Sequence, residues 1–107
     1  MAAEIILINP PPLNWREKHD TLNHPHLGLA YLSAYLRQSD FKCRPIDAKF
    51  ERMNLEELSK ALRKYQPILV GITAMTHEIN QAAQVARLAK ELFPRVKTVL
   101  GGAHATA

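Results

Sequence analysis

Apolar positions in this chain fall into two alternating kinds of run. Short runs rich in β-branched residues alternate with longer stretches whose apolar residues recur every three or four positions. Ile5-Ile-Leu-Ile8 is a continuous β-branched run, the mark of a strand buried on both faces of a parallel sheet. Pro10, Pro11 and Pro12 lack amide donors and stop it. Leu29, Leu32 and Leu36 lie at helical spacing, and the helix carrying them is expected to begin near Pro25, capped by Asn23 or His24. Phe41 to Asp47 reads as a second strand, and Pro45 places it at a sheet edge. Asn54 to Tyr65 reads as a second helix with the Asn54/Glu57 spacing of a capping box and a Leu55, Leu58, Leu62 stripe.

Residues 67 to 75 organise the rest. Leu69-Val-Gly-Ile-Thr-Ala74 is short, apolar and ended by small polar residues, so it is predicted as the central strand. His77 to Phe93 reads as a third helix, with Thr76 as its cap and Pro94 as its stop. Val96 to Leu100 reads as the fourth strand. The order β-α-β-α-β-α-β requires right-handed parallel crossovers. The expected fold class is therefore α/β, an open parallel sheet in the order 2-1-3-4. This is the start of a flavodoxin-like sheet, with a fifth strand expected beside the fourth and missing from the fragment. The whole of residues 1 to 107 reads as one domain, expected to be a truncated part of a larger protein.

Composition narrows the class without naming a function. At 107 residues and 47% hydrophobic, the chain is long enough for one modest core. It holds no apolar run long enough for a membrane span. A single cysteine excludes an internal disulfide framework and fits a reducing, cytoplasmic setting. The net charge of +4 is spread over dispersed Lys and Arg residues, which suits a solvated surface better than a nucleic-acid track.

Candidate chemistry gathers at the carboxyl ends of the strands. In the order 2-1-3-4 the topological switch lies between strands 1 and 3, where open α/β sheets bind ligands. Asn9, Pro10 and Pro11 end the first strand. Thr73, Ala74, Met75 and Thr76 end the third, and Gly101 and Gly102 end the fourth. The threonines offer hydroxyls and the glycines permit close backbone approach. Gly28, close to the start of its helix, implies that something passes near the backbone there. His77 and His104 are further candidate contacts, and Trp15 sits in the long loop of residues 10 to 23. His19, His24 and His26 suggest a metal cluster by proximity, but two of them flank a proline at a helix start, which favours capping and loop roles. No dinucleotide fingerprint, phosphate-binding loop or acidic receiver cluster is present. No catalytic constellation stands out, so the segment is expected to carry out no covalent chemistry alone.

Together these residues carry a resemblance. Asn9-Pro-Pro-Pro12, Pro25-His-Leu-Gly-Leu-Ala-Tyr-Leu-Ser-Ala-Tyr-Leu36, Asp47-Ala48, Val70-Gly-Ile-Thr-Ala-Met75 and Val99-Leu-Gly-Gly-Ala-His-Ala-Thr106 occur in an order and spacing similar to the amino-terminal cobalamin-binding domain of B12-dependent radical S-adenosylmethionine enzymes. The resemblance implies a flavodoxin-like B12 fold and cobalamin as cofactor. It implies contacts from Asn9, Pro10, Pro11, Leu27, Gly28, Thr73, Ala74, Met75, Thr76, Gly101, Gly102 and His104. The Asp-x-His-x-x-Gly motif that supplies a cobalt-ligating histidine in methionine synthase and mutases is absent after the first strand, so base-off cobalamin without a protein histidine ligand is expected. S-adenosylmethionine and a [4Fe-4S] cluster would belong to a barrel elsewhere in the parent, because no Cys-x-x-x-Cys-x-x-Cys motif occurs here. That barrel is the expected partner, and methyl transfer or cyclisation the expected reaction of the parent. The alternative is an interaction domain of the same fold that binds no cofactor.

Overall fold

The computed structural model describes residues 4–11, 26–74 and 79–101. Among these residues four strands and three helices alternate: β1 (Ile5–Asn9), α1 (Leu27–Gln38), β2 (Cys43–Asp47), α2 (Leu55–Tyr65), β3 (Leu69–Thr73), α3 (Ile79–Leu92) and β4 (Lys97–Gly101). All neighbouring strands are parallel, in the order β2-β1-β3-β4. This is the predicted order, and it puts the Pro45 strand at an edge.

Strand parity divides the chain between two cores. Ile6, Ile8, Ile46, Val70 and Ile72 point to one face, where Leu58 and Leu62 of α2 and Ala82, Val85 and Ala89 of α3 close over them. Small residues on α3 let that helix lie close to the sheet. The opposite face carries Ile5, Leu7 and Cys43, and α1 covers it with Leu29 and Leu36. Among the described residues, α1 alone packs on this face, and one helix does not cover four strands. Leu32 on α1 therefore remains 48% exposed and Val99 on β4 52% exposed, leaving a gap between α1 and the β3–β4 half of the sheet.

Several element boundaries tighten by one or two residues, while β1 and β4 each end one residue later than expected. The second strand starts at Cys43 rather than Phe41, although the Lys42 carbonyl still accepts the Ile5 amide. The central strand is Leu69–Thr73, and the Ala74 amide then donates to the Gly101 carbonyl. The capping box is present in both directions: Asn54 Oδ1 accepts the Glu57 amide at 2.8 Å, and Glu57 Oε1 accepts the Asn54 amide at 3.2 Å. Of the α2 stripe, Leu58 and Leu62 are buried while Leu55 is partly exposed in the first turn.

The start of the first helix is a correction. Its cap is His26, not Asn23 or His24, and its first helical residue is Leu27, not Pro25. A histidine ring nitrogen satisfies an orphan amide as a carboxamide oxygen does, so the capping role expected of the histidines beside Pro25 falls to His26. Asn23, His24 and Pro25 lie outside the described residues, as do Thr76 and His77 at the expected start of α3.

Candidate functional site

The carboxyl ends of β1 and β2 are locked to the start of α1 by one carboxylate. Asp47 Oδ1 accepts from Asn9 Nδ2 at 2.8 Å and from the Phe50 amide at 3.1 Å. Asp47 Oδ2 accepts from the His26 amide at 2.7 Å. Three groups thus converge on this one side chain at the end of β2: the Asn9 carboxamide at the end of β1, the Phe50 amide in the turn after β2 and the amide of the α1 cap. Bonds to an ionised acceptor are the stronger kind.

The cap itself reaches toward β3. His26 Nδ1 accepts the Leu29 amide at 3.0 Å, and Nε2 lies 3.5 Å from Thr73 Oγ1. Gly28 explains how the ring fits. A Cβ there would stand 3.2 Å from His26 Cε1, tighter than ordinary contact. The close approach expected at Gly28 is therefore made by the helix's own capping side chain, not by a strand or loop.

Beside this bridge lies a cavity of about 520 Å³, within the range of small-molecule sites. Ile5, Leu7, Leu29, Leu36, Leu69 and Val99 supply apolar walls, while His26, Thr73 and Gly101 stand at its carboxyl-edge end. Gly71 forms part of the floor. A Cβ on Gly71 would come within 2.8 Å of Leu7 Cδ2, so the glycine leaves room for Leu7 in its present place. Around Gly101 an added Cβ would meet nothing within 4 Å. An apolar slot with a few polar groups at one end suits a flat heterocycle carrying polar substituents.

The predicted site residues divide on this geometry. Gly28, Thr73 and Gly101 line the cavity. Asn9, Pro10 and Pro11 are buried at the end of β1, with the Asn9 amide committed to Asp47. Ala74 is buried in the opposite core, and Leu27 points outward at 63% exposure. Met75, Thr76, Gly102 and His104 lie outside the described residues, as do His19 and Trp15. Two residues at the heart of the site were given no such role by the sequence reading, His26 as the bridge and Asp47 as the anchor. Their signal was position alone: a side chain with an acceptor atom just before a helix, and a carboxylate at the last position of an edge strand.

Cys43 lies on the α1 face of β2 and is buried. Burial pushes its thiol pKa up, against the smaller opposing effects of the Ser33 hydroxyl and the Arg37 guanidinium. A thiol that keeps its proton is a poor nucleophile. The folded chain is expected to react with an aromatic disulfide reagent at pH 8 at least about tenfold more slowly than the urea-unfolded chain. The linkage has a definite sign. The native state retains the proton where the unfolded chain releases it, so this group lowers stability as pH rises past about 8.5, and Cys43→Ala removes that part of the slope.

An open parallel α/β sheet with an apolar cavity at its switch point defines a ligand-binding domain of the doubly wound class. Residues 19–107 match the family model of the B12 binding domain, and the chain belongs to that family. The chain is 34% identical over 103 residues to an uncharacterised methyltransferase of Pyrococcus horikoshii, covering 96% of this chain and 22% of the relative. It is 33% identical over 85 residues to the anaerobic magnesium-protoporphyrin IX monomethyl ester cyclase of Rubrivivax gelatinosus, covering 78% of this chain and 15% of that protein. It is 25% identical over 120 residues to the cytidylyl-2-hydroxyethylphosphonate methyltransferase of Streptomyces wedmorensis, covering 95% and 22%. The chain thus spans less than a quarter of the length of these relatives. No solved structure matches it. Among the described residues no helix is long and apolar enough to cross a membrane.

Proposed function

We propose that this chain is a cobalamin-binding module that positions a corrinoid for a catalytic domain of the radical S-adenosylmethionine type. The observation that carries the reading is the apolar cavity between α1 and the β3–β4 half of the sheet, in a chain of the B12-binding family. Ile5, Leu7, Leu29 and Leu69 would hold the apolar ring of the cobalamin tail, with Gly71 and Gly101 leaving space for it. Thr73 and His26 would meet its polar end. Cobalamin supplies methyl-transfer or radical chemistry at cobalt. The residues of this chain bind and orient it and exclude water from its tail. The loop after β1 begins Pro10-Pro11-Pro12 and carries no Asp-x-His-x-x-Gly motif, which supports binding without a histidine from that loop on cobalt.

The parent reaction fits methyl transfer or cyclisation, in line with relatives named as methyltransferases and as a cyclase. S-adenosylmethionine and a [4Fe-4S] cluster would be held by another part of the parent protein. The open side of β4 supports a larger assembly, because Val99 and Leu100 point to opposite faces and both are exposed. An edge strand apolar on both faces calls for cover, and a fifth strand with its helix would provide it.

Titration with hydroxocobalamin, followed by visible absorption, tests the reading. The 107-residue chain, or a longer protein containing it, is expected to bind saturably with a spectrum lacking histidine ligation. Absence of binding by both forms would favour the interaction-domain alternative. A histidine-ligated spectrum would overturn the ligand assignment alone.

A further inference from the structure

Among the described residues, the N-caps of α1 and α2 are chemically different. Asn54 caps α2 with a carboxamide that does not titrate near neutral pH. His26 caps α1 with an imidazole nitrogen, which accepts a hydrogen bond only while it carries no proton. Because Nδ1 accepts the Leu29 amide, it must carry a lone pair. The neutral ring therefore holds its proton on Nε2, the nitrogen facing Thr73 and the cavity. A proton on Nδ1 and the Leu29 bond exclude each other.

Among the described residues, few groups are placed to compensate. Asp47 approaches from the end of β2, but its carboxylate is bonded to the His26 backbone amide, Asn9 and Phe50. Thr73 approaches from β3 with an uncharged hydroxyl. The first turn of α1 contains no acidic residue to welcome an imidazolium, and the positive end of the helix dipole opposes one.

We infer that His26 is a proton-sensitive positioning residue. In its neutral form Nδ1 holds the Leu29 amide while Nε2–H faces Thr73 at the mouth of the cavity, and a proton on Nδ1 releases the Leu29 amide. Acidification would then loosen α1 at Leu27 to Leu29 and weaken whatever the cavity holds. The ligand half of this inference rests on the cobalamin reading above; the protein half does not.

The test begins on the ligand-free chain. Long-range proton–nitrogen NMR of His26 at pH 8 is expected to show the Nε2–H tautomer. Amide-exchange protection factors are then compared at pH 8 and pH 5 for wild type and for His26→Asn, which keeps a capping acceptor but does not titrate. Leu29 protection should fall about fivefold or more in wild type on acidification and stay level in His26→Asn. The Glu57 amide, capped by Asn54, serves as the internal control in both. An Nδ1–H tautomer, or an equal loss of Leu29 protection in the two proteins, would overturn the inference, and the tautomer needs no variant to be read. In the ligand arm, hydroxocobalamin affinity should drop between pH 8 and pH 5 in wild type and hold in His26→Asn. Binding by neither protein at any pH would count against the cofactor reading, while the tautomer and exchange results still decide the role of His26.

Discussion

Replacing Asp47 by alanine is expected to lower the unfolding free energy by about 3 kcal/mol, the largest single effect of any polar residue at the site. The size follows from what the carboxylate holds. It accepts from Asn9 Nδ2, from the Phe50 amide and from the His26 amide, and the Asn9 end of this network is buried. Bonds to a charged acceptor contribute roughly 1.5–3 kcal/mol each where water is excluded and less at the exposed Phe50 end. Alanine strands all three donors together. Asp47→Asn, which keeps one acceptor oxygen, should fall between the two. Glu51→Ala, at an exposed position in the adjoining turn, should change stability by less than about 0.5 kcal/mol. Urea unfolding followed by far-ultraviolet circular dichroism measures all three. A loss below about 1 kcal/mol in Asp47→Ala would show that the network is not the anchor its distances imply. The damage should also be local: amide exchange at Leu29 and Ala30 should rise before exchange in α2, because Asp47 fixes the His26 cap.

The elements were legible because their signals are local. Ile5 to Ile8 and Leu69 to Ile72 are apolar on consecutive positions, which only a strand buried on both faces tolerates. Asn54 and Glu57 declare a helix start through two side chains three residues apart. Pro45 assigns its strand to an edge, and that one constraint, with right-handed crossovers, leaves little freedom in the strand order. Thr73 and Gly101, which line the cavity, were placed at the carboxyl edge by the switch-point rule, which needs only topology.

What stayed hidden depended on side chains meeting across the fold. Asp47 and His26 are 21 residues apart, and Asn9 and Asp47 are 38 apart. No periodicity encodes those bonds. Gly28 shows the intermediate case: its lack of a side chain signalled a close approach, but the approaching group could be named only once His26 was seen to fold back over the helix. The exposure of Leu32 was also unreadable, since helical spacing marks an apolar stripe without saying how much sheet lies opposite.

Gly71 provides the sharpest test of the cavity, because two opposing effects make the sign of a substitution informative. In an unobstructed strand, glycine to alanine should stabilise by about 0.5–1 kcal/mol, through reduced freedom of the unfolded chain. Here the new methyl would stand 2.8 Å from Leu7 Cδ2, directly across the β1–β3 pair. Leu7 is buried, so its tip can yield only by moving toward the cavity or by straining the sheet. Gly71→Ala is therefore expected to destabilise by about 1–2 kcal/mol and to weaken hydroxocobalamin binding at least about tenfold by filling the slot. Leu7→Ala removes the obstructing methyls and costs stability by itself, about 2–4 kcal/mol. Placed on that background, Gly71→Ala should be neutral or stabilising, a coupling of about 1–3 kcal/mol between the two positions. Equal costs for Gly71→Ala in both backgrounds would mean that the Leu7 contact does not govern the floor of the cavity. Stability restored in the double variant without recovery of binding would separate the packing role of Gly71 from its role in the site.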